Sequence, residues 1–289
     1  MADFKSIIWS VEHGSAAFVI CPNGKTIMLD AGKSKEFFPA YYLRNQYNTS
    51  QITQLIISHP HRDHIEDLPD VIKYCKPKIL RRNESIPKQL IYPSDEYYDD
   101  EVFQAYKELD ETYTSPVSDE DTDTPISNWG NVEIKSFYNR PDWLTSPSLN
   151  NLSLLTVIRY QDVEIVFPGD LEPIGWETLL NNTDLAESVG KSSIRILVAP
   201  HHGRKTGIRS STGSVYTRFL EIMKPHLTII SDKWGNETTD PEAYRYYCLG
   251  MKVYNQNTEN WEDKKIITTK TNDFVLIACK NNAAVVMIG

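Results

Sequence analysis

The chain has 289 residues, 40% of them hydrophobic and 24% charged, enough apolar side chain for a sizeable core at an ordinary charge density. No apolar run nears the length of a bilayer span, and the opening MADFKSIIWSVEHGS lacks the cationic head and cleavage site of a secretory leader, so a cytoplasmic protein with no membrane association is expected. The net charge of −9 is local: Ser94 to Thr124 holds twelve acidic residues against one lysine, leaving +2 on the remainder, so the acidic balance says little about a site elsewhere.

In chain order, SIIWSV, SAAFVIC and KTIMLD read as short strands with turns at HGS and PNGK. The third ends in Asp30-Ala31-Gly32. A helix is expected over FPAYYLRNQY, then a short apolar strand, QLIIS. DHIEDLPDVIKYC reads as helical, with Pro69 bending or delaying it. Residues 81–128 differ in texture: DEYYDDEVFQAYKELDETY predicts a helix and SPVSDEDTDTP a mobile acidic loop, together an insertion on one domain that spans 1–289. Strands resume at NVEIKSF, LSLLTVIRY and DVEIVFP, the last running into Gly169-Asp170. A helix over EPIGWETLLNN and a buried strand, IRILVAP, lead to His201-His202-Gly203. A helix (SVYTRFLEIMK), a strand (HLTIISD), a helix after Pro241 and a mixed C-terminal region complete the chain. The four cysteines lie far apart with no CxxC pair and are expected as buried free thiols.

The order of elements, strand-rich, then αβ, then mixed, suits two sheets sandwiched between helices. Asp30, His59, Asp170 and His201 each fall just past the C-terminal end of an apolar strand, where a layered α/β fold brings distant residues to one edge.

The stretch ISHPHRDHIEDL places His59, His61, Asp63 and His64 within six residues, in a chain with seven histidines. At extended spacing His59, His61 and Asp63 face one way, and His64 reaches a neighbouring point. Neutral imidazole and carboxylate are ligands for zinc and similar ions; without a cation each of these groups would need its own partner on burial.

HPHRDH matches the H-x-H-x-D-H signature of the metallo-β-lactamase-fold hydrolases, and the chain resembles that family over most of its length. Asp30-Ala31-Gly32, FPGD ending at Asp170, and APHHG over Ala199 to Gly203 match the family's further motifs in order and spacing. The resemblance implies a four-layer αββα sandwich with the acidic segment inserted. It implies that His59 and His61 hold one metal, that Asp63 and His64 hold a second with His201 or His202, and that Asp170 bridges them, while Asp30 supports the site from behind. One or two ions, Zn2+ first and Mn2+ as the alternative, would then supply a metal-bound hydroxide near neutral pH, with Asp63 and Asp170 the residues on which catalysis depends. A narrower likeness is to the hydrolase domain of ComEC-type DNA-uptake proteins, through Asn150-Asn151-Leu152-Ser153-Leu154, HHGRKTGIRSST and the element from Asn236 to Pro241, where Asp240 replaces a His. No His occurs from Ile65 to Pro200, where binuclear members carry one; Asn150 or Asn151 is expected in that place. Asp240 reads as ligand, acid or helix N-cap before Pro241.

Arg204, Lys205 and Thr206 follow the late histidines, and such cations and hydroxyls suit phosphate oxygens. With Asn151 they are the expected substrate contacts. The reading that follows is a metal-dependent phosphodiesterase or nuclease acting on nucleic acid or a small nucleotide. Two alternatives stand beside it. One is hydrolysis of a lactone, thioester or lactam, with Phe103 and Tyr106 lining an acyl pocket. The other is a non-catalytic module that binds a protein partner through the acidic insert.

Overall fold

The computed structural model describes residues 3–233, 237–280 and 283–289. It is an α/β sandwich of two mixed sheets flanked by helices. Among the described residues the first sheet has nine strands, in the order Asn260–Lys264, Met251–Asn255, Ala283–Ile288, Phe274–Lys280, Phe4–Trp9, Ala17–Ile20, Thr26–Leu29, Gln54–Ile56, Ile79–Arg81. The second has six, in the order Ile266–Thr268, Leu227–Ile230, Ile194–Val198, Val163–Phe167, Leu155–Tyr160, Glu133–Phe137.

Period-two alternation sorts the core into layers. Ile8, Val19, Ile27 and Leu29 face the other sheet and meet Ile158, Ile165, Ile196 and Ile229. Their neighbours Ile7, Phe18 and Met28 turn outward and are covered by Leu43, Leu68 and Val71 from helices Pro39–Gln46 and Leu68–Cys75. On the second sheet's outer face, Val157, Val166 and Leu197 are covered by helices Pro173–Asn182 and Arg218–Met223, where Trp176 and Phe219 stack at 4.2 Å. Strands buried on both faces carry near-continuous apolar runs, as these do.

Parallel pairing sets the site's position. Thr26–Leu29 runs parallel to Gln54–Ile56 in one sheet. Val163–Phe167, Ile194–Val198 and Leu227–Ile230 run parallel in the other. Their C-terminal ends open onto one edge, and Asp30, His59, Asp170, His201 and Asp232 follow them there.

Several elements differ from the sequence reading. The single helix expected from Asp63 to Cys75 is two, Arg62–Ile65 and Leu68–Cys75, because Pro69 lies in the first turn of the second, where its missing N–H costs nothing. The helix expected from Asp95 to Tyr113 breaks at Asp100, whose side chain caps Glu101–Thr112 by accepting from the Val102 and Phe103 amides. The helix expected over 214–224 is confined to Arg218–Met223.

The acidic loop does not hang free. Asp121 is buried, with Lys25 Nζ at 2.8 Å and Lys78 Nζ at 2.5 Å, and Trp129 Nε1 donates to the Thr122 carbonyl. Val102, Phe103, Tyr106 and Leu109 of the inserted helix join the same apolar cluster as Leu68 and Val71. The segment 81–128 is thus packed against the sandwich. The four cysteines are buried free thiols. Among the described residues no helix is long and apolar enough to cross a membrane.

Candidate metal centre

The loop after Gln54–Ile56 brings His59, His61, Asp63 and His64 to the shared edge, and glycines allow the close packing that holds it there. A Cβ on Gly32 would lie 2.5 Å from the Asp63 carbonyl oxygen, so the Asp30-Ala31-Gly32 turn fits against the histidine loop only with glycine. Gly169 has φ +59°, and a Cβ on it would lie 2.8 Å from Ser58 Cβ and 2.9 Å from Ser153 Cβ.

Asp170 sits at the centre of the cluster. Its Oδ1 faces His64 Nε2 at 3.1 Å and His202 Nε2 at 3.5 Å. Its Oδ2 faces His201 Nε2 at 3.7 Å and His59 Nε2 at 3.8 Å. Asp63 Oδ2 lies 3.2 Å from His202 Nε2, and His61 Nδ1 lies 2.8 Å from His59 Nε2. His201 and His202 both occupy left-handed backbone, φ +48° and +54°, which non-glycine residues seldom adopt. In that conformation successive imidazoles serve different oxygens of Asp170, so both histidines of the pair join the centre. Among the described residues, donors lying within 4.8 Å of one another form two sets, His59 with His64 and Asp170, and His13 with Asp63 and His202.

The rings are held from behind. His64 Nδ1 lies 2.8 Å from Asp30 Oδ2, and Asp30 also accepts from the Ser58 amide and hydroxyl. His59 Nδ1 lies 3.2 Å from Ser58 Oγ and 3.3 Å from Ser153 Oγ. Thr206 Oγ1 lies 2.9 Å from His201 Nδ1, and Glu172 Oε1 lies 3.5 Å away. Anchoring Nδ1 leaves Nε2 pointing inward, the arrangement in which imidazole serves as a ligand.

Burial and neighbouring charge act on these groups in opposite directions. Burial pushes His59 well below the ordinary imidazole value, with His64 adding to the effect. Burial lowers His202 too, but Asp170 and Asp63 outweigh it and lift it to about 9. For His64 the carboxylates Asp170, Asp30 and Asp63 overcome the same burial and hold it well above its usual value. Burial works to raise Asp170, yet His64 and His202 hold it well below the carboxylate range. Asp170 Oδ1 is buried and has no well-formed hydrogen bond among the described residues. Nitrogen and carboxylate donors turned toward one another around such an atom fit a divalent cation.

Other expected residues fall elsewhere. Arg204 lines the cleft above the centre, and its Nε makes no hydrogen bond among the described residues. Lys205 is exposed and away from the cleft lining. Asn151 is buried; its Oδ1 accepts from the Glu172 and Gly175 amides, fixing the start of Pro173–Asn182. Asn150 donates to Glu172 Oε1. Neither asparagine joins the metal-type donors; His201 stands beside Asp170 Oδ2 instead. Asp240 caps Pro241–Arg245 by accepting from the Ala243 amide and pairs with Arg209, so it is a cap outside the donor cluster. Asn236 lies outside the described residues. His13 is the residue that sequence reasoning missed. Its one available signal was its place in the turn just past the strand Phe4–Trp9, parallel to the positions of the other donors.

An αββα sandwich with imidazoles and carboxylates gathered at one edge is the architecture of a metal-binding hydrolase scaffold. The sequence matches the family described as Metallo-beta-lactamase superfamily over residues 11–225, and the chain belongs to that superfamily. No curated protein matches it.

Among solved structures it is similar to CmlA, a diiron β-hydroxylase from Streptomyces venezuelae, at 15% identity, 81% coverage of this chain, 46% of that chain and TM-score 0.47. A CmlA variant gives 15%, 94%, 54% and 0.54, and a diphosphatase from the PhnP family gives 13%, 80%, 87% and 0.39. The chain spans about half the length of the CmlA chains. The likeness at TM-score 0.54 bears on the fold alone, and none of the three singles out a ComEC-type domain.

Proposed function

We propose that this protein is a metal-dependent phosphodiesterase, of the nuclease or nucleotide-hydrolysing kind, working in the cytoplasm. The observation that carries the metal dependence is the division of Asp170, with Oδ1 toward His64 and His202 and Oδ2 toward His59 and His201. In this reading His59, His61, His201 and Asp170 hold one divalent ion. Asp63, His64, His202 and Asp170 hold another. Zn2+ is the first candidate and Mn2+ the alternative, since donors without thiolate do not choose between them. Bound ions supply Lewis acidity and a water of lowered pKa. The chain's own residues orient and bind: Asp30, Ser153 and Thr206 fix the imidazoles, and Arg204 offers its guanidinium to an anionic substrate.

The phosphodiester part rests on the cleft. A space of about 620 Å³ over Asp63, Asp170 and His201 is lined by Lys33, Lys35, Arg62 and Arg204 as well as by Glu12 and Glu66. The ComEC-type motif HHGRKTGIRSST supports the same class. Lys33 lies 3.7 Å from Asp70 and Arg62 pairs with Glu66 and Asp100, which leaves Arg204 and Lys35 as the principal anion contacts.

A second reading, acyl hydrolysis, is favoured by a neighbouring space of about 550 Å³ where Leu90, Ile91, Tyr97, Phe103 and Leu149 stand beside His61. Tyr106 takes no part in it, being buried in the core. A substrate panel with Zn2+, Mn2+ or Mg2+ separates the two. Turnover of bis-(p-nitrophenyl) phosphate, single-stranded DNA or cyclic nucleotides is expected; turnover of lactones or thioesters alone would overturn the proposal.

A further inference from the structure

His13 lies between the strands Phe4–Trp9 and Ala17–Ile20 of the first sheet, while Asp232 follows Leu227–Ile230 of the second. They meet at the shared edge. His13 Nδ1 is 3.7 Å from Asp232 Oδ1, and His13 Nε2 is 3.6 Å from Asp63 Oδ2. The His13 and His202 rings are 4.6 Å apart. Ser231 Oγ donates to the Gly14 carbonyl at 2.6 Å, so the turn carrying His13 is tied to the segment carrying Asp232. Asp232 is fully buried, with Lys270 Nζ at 3.1 Å.

This arrangement repeats that of His64, where a buried carboxylate stands behind Nδ1 and Nε2 faces the donor cluster. His13 Nδ1 is buried and makes no hydrogen bond among the described residues, so ordinary polar satisfaction there does not explain the residue. Two donors sharing a cation at ordinary metal–nitrogen distances in a tetrahedron are separated by about 3.4 Å. The contacts of Asp63 Oδ2 with His202 Nε2 at 3.2 Å and with His13 Nε2 at 3.6 Å bracket that spacing.

We propose that His13 is a further donor to the ion held through Asp63 and His202, with Asp232 as the group that orients it. The inference rests on the metal dependence proposed above.

The test is Co2+ titration of the metal-stripped protein, followed by visible absorption and equilibrium dialysis. The proteins are wild type, His13→Ala, His13→Gln and Asp232→Asn, each checked for unchanged thermal melting in chelator. Two binding steps are expected for wild type. His13→Ala and His13→Gln should weaken one step at least tenfold, leave the other unchanged, and alter the visible bands of the weakened step. Asp232→Asn should weaken the same step by roughly tenfold, the lower end of what loss of an orienting partner costs. Wild-type affinity and spectrum in both His13 variants would overturn the proposal while leaving the metal dependence intact. A wild-type chain that takes up no Co2+ would overturn the metal dependence itself, and this proposal with it.

Discussion

His64 and Asp30 are joined at 2.8 Å between Nδ1 and Oδ2, in a pocket where both side chains are buried. Asp30 stands in left-handed backbone, φ +56°, and also takes the Ser58 amide at 2.7 Å. One carboxylate therefore sets the histidine loop and the His64 ring together. Replacing Asp30 with Asn keeps the shape but removes the charge that favours an inward Nε2 lone pair. Metal affinity in Asp30→Asn should fall by about 10- to 100-fold, read by competition with a chelating dye. Unchanged affinity would show that His64 needs no carboxylate behind it.

Gly169 is a second structural requirement. With φ +59° and Ser58 and Ser153 side chains where a Cβ would go, Gly169→Ala must move the backbone that carries Asp170. A loss of about 1–3 kcal/mol in urea unfolding is expected, with a larger proportional loss of bound metal. Full metal binding at wild-type stability would refute the packing argument.

Asp67 gives a pH dependence away from the donor cluster. Burial pushes its carboxyl up to about 7, with Asp70 and Glu66 adding to the effect against the Ala40 amide and Lys33. A carboxyl raised on folding binds more protons in the native state, so stability falls as pH rises from about 4 to about 7 and stays low above it. Asp67→Asn should flatten that decline and raise stability at pH 8 by something on the order of 2 kcal/mol. A decline of the same depth in the variant would assign it to another group.

Asp121 has the opposite sign. Burial works to raise it, but Lys25, Lys78 and Ser118 hold it down at about 2. Its contribution is present above the ordinary carboxylate value and is lost as pH falls toward 2. Asp121→Asn should cost about 1–3 kcal/mol at pH 7, because it leaves two lysines without their buried partner, and much less at pH 2. An equal cost at both pH values would mean that packing, not charge, ties the acidic segment to the sandwich.

The layered fold was legible because its strands announce themselves. IIWSV, FVI, VEIVF and IRILV are short apolar runs, and polar clusters stop them at one end. The His59–His64 cluster and Asp170 were legible for the same reason. The roles of His201 and His202 were not, since two adjacent residues serve different oxygens of Asp170 only through a left-handed backbone that sequence does not display. Asn151 looked like a substrate contact because its neighbours match a motif; its amide is instead spent on the helix after Asp170. The acidic loop read as mobile from its composition, and the distant Lys25 and Lys78 that pin it are partners no local pattern reveals. His13 stands alone in its stretch of sequence, so only the meeting of the two sheets shows its company.

Loss of Asp63 should separate function from folding. Asp63→Ala should abolish metal-stimulated turnover while shifting the melting temperature little in chelator, because the side chain lies at the sheet edge and not in the apolar layers. Retained turnover would remove Asp63 from the chemistry.

The central claim is that separate turns converge on Asp170 to hold divalent cations, and metal stoichiometry tests it most directly. After reconstitution and removal of free metal, elemental analysis of the wild-type chain should find two ions per molecule, and Asp170→Ala should hold at most one. A correctly folded wild-type protein that retains none would contradict the account.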